Sequence, residues 1–252
     1  MDDAFVRFEN VHKAFGAKRV LEGITFDILR GETMVVLGGS GSGKSVLIRH
    51  IIGLHRPDRG RVIVDGEDIA GYDEEELIPV RKKVAMLFQG GALFDSMNVR
   101  ENIAYGLREH TDLPEEAIRE RVRAKLALVD LEGVEELMPA ELSGGMKKRV
   151  ALARSISMDP QCILYDEPTT GLDPVTARTI NELIRSLQAR LRVTSVVVTH
   201  DIDSAFFVGD RLGYLYEGRM DFVGTVEEAR ASRDPRLRHF LSGGREGSSA
   251  AL

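Results

Sequence analysis

Four short stretches of the chain are apolar throughout, without the alternation of polar and apolar positions that marks a half-exposed strand. They are residues 33–37, 84–88, 162–165 and 194–199. Uninterrupted apolar runs of this length are typical of strands buried on both faces of a parallel sheet. A polar segment follows each run, and ligands of α/β proteins bind at the carboxyl ends of such strands. The pattern therefore predicts an α/β fold with its site at those ends.

A second group of strands is indicated near the N-terminus. Residues 5–11 and 25–29 have the composition of antiparallel strands, and residues 61–64 lead into Asp65-Gly66, a common hairpin turn. We therefore predict a small antiparallel sheet beside the parallel one.

Helical periodicity dominates residues 92–157, where no strand pattern is convincing. The clearest apolar stripe, with steps of 4, 4 and 3, is Ile118, Val122, Leu126 and Val129. Pro114 and the acidic residues after it suit the first turn of that helix. We expect an inserted helical subdomain at about 92–157 within a domain of residues 1–241. Residues 242–252 are rich in Gly, Ser and Ala, and we expect a flexible tail there.

Composition narrows the classes of function. The 252 residues are 43% hydrophobic and 29% charged, as in ordinary globular proteins. The net charge of -6 argues against non-specific electrostatic binding of nucleic acid. The single cysteine, Cys162, excludes an internal disulfide and a cysteine-based zinc site. The acidic N-terminus and the short apolar runs predict neither export nor a membrane span. We expect a cytoplasmic protein that serves a membrane, if at all, through a partner.

A phosphate-binding loop follows the first buried run. Its residues are Gly38, Gly39, Ser40, Gly41, Ser42, Gly43, Lys44 and Ser45, which match G-x-x-x-x-G-K-[ST]. In this motif backbone N–H groups surround the phosphates, the lysine reaches the β- and γ-phosphates, and the hydroxyl can bind Mg²⁺. A merely flexible Gly/Ser loop is the alternative. The strand before the motif and the helical pattern after it favour phosphate binding.

Two adjacent carboxylates, Asp166 and Glu167, end the third buried run. Alone, such a pair more often belongs to a solvated loop. Beside a phosphate loop, Asp166 is placed to bind Mg²⁺ through its water shell, and Glu167 to polarise the water that attacks the γ-phosphorus.

The order of motifs along the chain carries a resemblance. After the phosphate loop come Gln89, Leu142-Ser143-Gly144-Gly145, Asp166-Glu167, Gly171-Leu172-Asp173 and His200. Ser143 followed by glycines could by itself be an ordinary capped helix start. In this order, the set resembles the nucleotide-binding subunit of an ABC transporter over nearly the whole chain. The resemblance implies a P-loop NTPase (RecA-like) core that binds ATP and Mg²⁺ and hydrolyses ATP as a homodimer attached to a membrane permease.

The same resemblance assigns roles to individual residues. The residues that it places at ATP are Phe15, the loop 38–45, Val46, Ser143, Gly144, Gly145 and Asp173. The residues that it assigns to catalysis are Glu167, His200 and Gln89. The residues that it assigns to Mg²⁺ are Ser45, Gln89 and Asp166. Phe15 would stack on adenine, its alternative being an aromatic of the small sheet's core. Ser143 and Gly145 would contact ATP held by the other protomer, and Asp173 would bridge the protomers. Gln89 would report to the permease, and His200 would hold the γ-phosphate.

Several departures from the common pattern narrow the subfamily. Met146 replaces the usual Gln, which puts in doubt any ribose contact by that residue, and residues 89–99 lack the Pro-His pair of many importers. These features and the ending at 234–241 resemble the ATPases of bacterial MCE-associated lipid transporters, the Mla phospholipid system. That resemblance implies phospholipid as cargo and adds STAS-domain and MCE-domain proteins as partners, at the inner face of the cytoplasmic membrane.

Other members of the family remain as alternatives. An amino-acid or anion importer would use the same chemistry, as would a non-transport ATPase of the division complex. A DNA-acting relative would need a long coiled coil between the phosphate loop and Ser143, and the 97 residues between Ser45 and Ser143 are too few for one.

The family also places its permease contact in residues 89–99. Leu93, Phe94 and Met97 would line a groove for a permease helix, since their apolar side chains would otherwise be an exposed patch. The alternative is that all three pack inside the helical subdomain.

Overall fold

The structure is a computed structural model that describes residues 3–243; the predicted tail therefore lies, apart from Ser242 and Gly243, outside the described residues. The strands are β1 (Ala4–Phe15), β2 (Lys18–Leu29), β3 (Thr33–Leu37), β4 (Arg59–Val64), β5 (Glu67–Asp68), β6 (Val84–Leu87), β7 (Cys162–Asp166), β8 (Thr194–Thr199), β9 (Arg211–Tyr216) and β10 (Arg219–Thr225). The helices are α1 (Lys44–Ile51), α2 (Leu77–Lys83), α3 (Val99–His110), α4 (Glu115–Leu128), α5 (Gly144–Ser155), α6 (Pro174–Leu191), α7 (Ile202–Val208), α8 (Val226–Ala231) and α9 (Pro235–Leu241), with a 3-10 turn at Pro139–Glu141.

The chain divides into two compact units. The first unit is Met1–Leu77 with Val196–Leu252, and the second unit is Ile78–Ser195, so the division falls inside β8. Within the part of the chain that is described, no helix is both long enough and apolar enough to span a bilayer. The predicted limits of the domain and of its helical subdomain, 1–241 and 92–157, stay predictions.

The first unit contains the predicted antiparallel sheet, with strand order β2-β1-β4-β5. Phe8 lies opposite Phe26 in the β1–β2 register, and their rings stack at 5.1 Å. Both strands are longer than the sequence pattern indicated. Register shifts between Phe8 and Val11 and again beyond Val11 interrupt the inward-outward alternation, and this explains why the pattern ended early.

The first unit also holds the strand order β10-β9-β3-β8. β3 is fully buried and pairs in parallel with β9, whereas β9 pairs antiparallel with β10. Neither β9 nor β10 was predicted. Gly213 lies in the middle of β9, where it weakens the strand pattern because it has no side chain. A Cβ added there would lie 3.0 Å from the side-chain ends of Met34 and Met220.

The second unit combines two parallel strands, β6 and β7, with packed helices. β7 is fully buried, and helices α3, α4 and α5 contact one another. The predicted helix is present as α4, and its four stripe residues are all buried. Asn98 and Glu101 form a capping box at the start of α3. The α/β class with mixed sheets is confirmed.

Candidate functional site

The phosphate loop lies between β3 and α1 in the first unit, as predicted. Gly43 caps α1 in the left-handed region, with φ of 105°. A Cβ at Gly43 would also lie 3.1 Å from Val20, and one at Gly38 would lie 2.5 Å from the carbonyl oxygen of Leu215. Side chains at these positions would therefore push the loop away from its neighbours, so both glycines are required by the fold of the loop.

Lys44 lies buried across this loop. Its Nζ donates hydrogen bonds to the carbonyl oxygens of Gly38, at 2.8 Å, and Gly39, at 3.1 Å. The lysine charge is thus held against the backbone whose N–H groups would surround an anion. Ser45 and Val46 lie in the first turn of α1, where helix N–H groups favour negative charge.

Phe15 ends β1, and 46% of its surface is exposed. Lys13 Nζ lies 5.5 Å from the ring centroid, and the His55 ring meets its edge at 5.3 Å. Asp58 fixes this segment, because its carboxylate accepts hydrogen bonds from Lys13 Nζ at 2.8 Å and from the backbone N–H of Ala14 at 2.7 Å. An aromatic this exposed is available to stack on a ligand and is not a core residue of the small sheet.

His200 is exposed immediately after β8, also in the first unit. Asp201 caps α7 by accepting a hydrogen bond from the N–H of Asp203, and its own N–H donates to Thr199 Oγ1 at 3.0 Å. The backbone on either side of the histidine is therefore fixed. β8 is the neighbour of β3, the strand that leads into the phosphate loop.

Asp166 and Glu167 lie at the end of β7 in the second unit. Asp166 is buried, whereas Glu167 is partly exposed and accepts a hydrogen bond from Thr170 Oγ1 at 3.1 Å. Glu167 has φ of 50°, a left-handed conformation that costs a non-glycine residue roughly 1 kcal/mol.

Gln89 is exposed just beyond β6, and its carbonyl oxygen accepts a hydrogen bond from Lys148 Nζ on α5. Burial lowers the pKa of Lys148, while the Asp166 carboxylate acts in the opposite direction. The sequence analysis missed this lysine, since nothing local distinguishes it from Lys147 beside it, which is exposed.

Ser143 caps α5, with its Oγ accepting from the N–H of Met146 at 3.2 Å. Ser143 and Gly144 are exposed, so the helix start is open to a ligand. A Cβ on Gly145 would lie 2.7 Å from Thr176 Cγ2, which explains a glycine there.

Asp173 is exposed and caps α6. Its carboxylate accepts hydrogen bonds from the N–H groups of Val175 and Thr176, both at 3.0 Å, and from Thr176 Oγ1 at 2.5 Å. The Thr176 hydrogen bonds hold the pKa of Asp173 below its usual value. The structure therefore gives Asp173 a capping role that the sequence analysis did not assign.

Phe94 is 41% exposed, and its ring lies 5.1 Å from that of Tyr105, which is also exposed. The Asn102 side chain holds the segment by bonding to both the N–H and the carbonyl of Phe94, at 2.8 and 3.1 Å. Leu93 and Met97 are half-buried. Simple core packing of all three predicted residues is therefore wrong.

Comparison with known proteins extends this picture. Residues 21–170 match the family model described as ABC transporter. The chain is 44% identical over 242 residues to the probable ribonucleotide transport ATP-binding protein mkl of Mycobacterium leprae, covering 96% of this chain and 70% of that protein. It is 42% identical over 228 residues to the intermembrane phospholipid transport system ATP-binding protein MlaF of Escherichia coli K12, covering 90% of this chain and 85% of that protein.

A solved structure is also similar. The dimeric, post-hydrolysis state of the ATP-binding cassette MJ0796 bound to ADP and Pi has a TM-score of 0.81 and 33% sequence identity, covering 88% of this chain and 98% of that chain. The resemblance inferred from the order of motifs is confirmed. The chain belongs to the ABC transporter family and is an ATP-hydrolysing cassette of that family.

Proposed function

We propose that this chain hydrolyses ATP to power a membrane permease that moves phospholipid, from the cytoplasmic side of the membrane. The observation that carries the cargo is the 42% identity to MlaF, a phospholipid transport protein of which the chain covers 85%. Met146, the segment 89–99 and the ending 234–241 resemble the same subfamily.

A different cargo is named for another relative. The mycobacterial mkl protein carries the name of a ribonucleotide transport protein, at 44% identity. Neither that name nor MlaF points to an amino-acid importer or to a division-complex ATPase, so these two alternatives have less support. Phospholipid and ribonucleotide are the cargoes that an experiment must separate.

ATP would be held by its phosphates and its base. Lys44 and the N–H groups of residues 38–46 would bind the triphosphate, since a lysine and a helix start both stabilise negative charge. Phe15 would stack on adenine, using the ring surface that is left exposed.

The residues assigned to Mg²⁺ have suitable chemistry. Ser45 offers a hydroxyl, Asp166 a carboxylate and Gln89 an amide oxygen, and Mg²⁺ prefers oxygen ligands while retaining water and phosphate oxygens. When bound, Mg²⁺ neutralises charge that develops on the phosphates. The burial of Asp166 next to the partly exposed Glu167 would separate a metal-binding carboxylate from one that acts on water.

Glu167 would orient and polarise the attacking water. Its hydrogen bond from Thr170 fixes one carboxylate oxygen and leaves the group partly exposed. His200 would hold the γ-phosphate through the imidazole.

A second copy of the chain would complete the nucleotide site. The helix start at Ser143, Gly144 and Gly145, of which the first two are exposed, would approach ATP bound by the other protomer, where its N–H groups would stabilise the γ-phosphate. Val175, two residues after Asp173, is an exposed apolar residue of the same helix start, with 77% of its surface accessible. The related cassette MJ0796 is described as a dimer.

The permease would dock on the aromatic patch, defined as Leu93, Phe94, Met97 and Tyr105. We expect Phe94→Asp to leave the chain folded, with thermal stability and basal ATP hydrolysis close to wild type, because the ring is exposed. The charge should reduce recovery of the permease complex at least tenfold, since a buried unpaired carboxylate opposes docking by several kcal/mol.

Ile78→Asp is the matched control, since Ile78 is 43% exposed in the same unit but lies outside the aromatic patch. Stability, hydrolysis and recovery are measured on one preparation of each variant. Loss of all three in Phe94→Asp would make Phe94 a core residue. Full recovery of the complex would place docking elsewhere.

The cargo is tested with the complex purified from membranes, its subunits identified, and reconstituted into vesicles. We expect ATP to drive movement of a labelled phospholipid between vesicles or leaflets, and Glu167→Gln to abolish that movement. Labelled ribonucleotides are assayed in parallel. ATP-driven ribonucleotide uptake without phospholipid movement would reject the proposal in favour of the mkl-type cargo. Co-purification with MCE-domain and STAS-domain proteins would add the partners that the resemblance implies.

A further inference from the structure

We infer that Lys148 is a positioning residue, which anchors the loop carrying Gln89 to helix α5 and so links the start of that helix to the loop. The inference rests on the proposed role of Gln89 for its functional meaning, but the anchor itself is a structural claim about the loop 89–92.

The first observation is the burial of Lys148. Only 7% of its surface is exposed, although lysine is among the residues least often buried. Its Nζ donates to the carbonyl oxygen of Gln89, and the Asp166 carboxylate interacts favourably with its charge. A buried ammonium needs such partners to offset its lost hydration. The Lys148 side chain is therefore held by the Gln89 carbonyl and the Asp166 charge.

The second observation is the conformation of the loop. Gly91 and Ala92 follow each other in the left-handed region, with φ of 76° and 51°. A non-glycine residue such as Ala92 holds this conformation only when its surroundings impose it. The loop's hydrogen bond from the N–H of Gly91 to the carbonyl of Phe88, at 2.8 Å, closes a tight turn. The carbonyl oxygens of Gln89, Gly91 and Ala92 accept hydrogen bonds from side chains outside the turn.

Helix α5 supplies that fixation with a second cation. Arg154 donates from its guanidinium to the carbonyl oxygens of Gly91, at 3.0 Å, and Ala92, at 2.8 Å. Arg154 and Lys148, both on α5, thus donate hydrogen bonds to three carbonyl oxygens of the loop. The same guanidinium lies 5.5 Å from the Phe94 ring, in the aromatic patch.

The geometry has a mechanical consequence. α5 begins at the exposed helix start capped by Ser143 and carries both cations further along. Because an α-helix of 12 residues moves as one element, a displacement of its start moves Lys148, and with it Gln89. Lys148 therefore connects the part of the chain that would approach a partner's γ-phosphate with the loop that leads to the aromatic patch.

Substituting Lys148 with Met tests the anchor, because Met keeps the apolar stem and removes the donor. We expect hydrogen exchange of the backbone amides of residues 89–97 to become about tenfold faster, as for a lost charged hydrogen bond, with little change in the first unit. The Mg²⁺ concentration for half-maximal hydrolysis should rise, while ATP affinity measured without Mg²⁺ should not change, since it depends on the phosphate loop.

Two variants control for general damage. Lys147→Met makes the same chemical change at the adjacent exposed position and should behave as wild type. Lys148→Arg restores a donor and should recover slow exchange.

Unchanged exchange at 89–97 in Lys148→Met would overturn the inference. So would faster exchange spread through the whole second unit with a lower Tm, because that is the result for an ordinary core residue. Fast exchange confined to 89–97 with an unchanged Mg²⁺ requirement would support the anchor and reject the proposed Mg²⁺ role of Gln89. The two failures are thereby separated.

Discussion

Glu167→Gln is expected to bind ATP with Mg²⁺ normally and to hydrolyse it about 10²- to 10⁴-fold more slowly than the wild-type chain. The amide keeps the size of the side chain and can still accept the hydrogen bond from Thr170 Oγ1. The amide cannot accept a proton from the attacking water or polarise that water as the carboxylate does. Single-turnover hydrolysis of labelled ATP measures the chemical step directly, apart from product release.

Stalled chemistry should also change the assembly state. If a second protomer completes the ATP site, Glu167→Gln should accumulate as an ATP-bound dimer. Light scattering should detect this dimer in the presence of ATP and not in the presence of ADP. Glu182→Gln is the matched control, because Glu182 is an exposed acid of α6 that pairs with Arg178 one turn away. Near-normal turnover of Glu167→Gln would remove this residue from the catalytic role.

The parts of the fold that follow from the sequence are those set by local constraints. The buried strands β3, β7 and β8 are uninterrupted apolar runs, and their bounds differ from prediction by at most one residue. The phosphate loop is similarly local, because its glycines, lysine and flanking elements are contiguous. In each case the residues that determine the structure are neighbours in the chain.

Other features depend on groups that meet only after folding. The role of Lys148 is set by a carbonyl 59 positions away, and Arg154 bonds to residues more than 60 positions away. β9 was missed because Gly213 weakens its pattern, and the side-chain ends nearest to this glycine are those of Met34 and Met220. No property of the surrounding sequence reports contacts of this kind.

Asp173 shows how a correct motif can still leave a function open. Its position in Gly171-Leu172-Asp173 predicts a bridge between protomers, whereas its observed hydrogen bonds cap α6. An N-cap contributes about 1 kcal/mol, so capping alone is enough to favour Asp at this position. The bridging role therefore stays a prediction.

Removing the charge of Lys44 is expected to weaken ATP binding strongly. Lys44→Ala removes the cation from the phosphate loop, and ATP affinity should fall about 10- to 100-fold, the range for a lost charge-assisted contact to phosphate. Hydrolysis at low ATP should fall at least as much. Fluorescence titration with a labelled ATP analogue gives the affinity directly, and a thermal melt without nucleotide shows whether the fold is retained.

Lys82→Ala provides the control, since Lys82 is an exposed lysine of α2 and belongs to the second unit. The ammonium of Lys44 has a second task in the nucleotide-free chain, because it bonds to the carbonyl oxygens of Gly38 and Gly39. Its loss therefore removes one positive charge and also takes this hydrogen-bond donor away from the two loop carbonyls. If only the loop geometry mattered, affinity for adenosine, which lacks phosphates, would fall as much as affinity for ATP. We expect adenosine binding to be little changed, because the phosphates are the partners of the missing charge; unchanged ATP affinity and turnover would contradict the assignment.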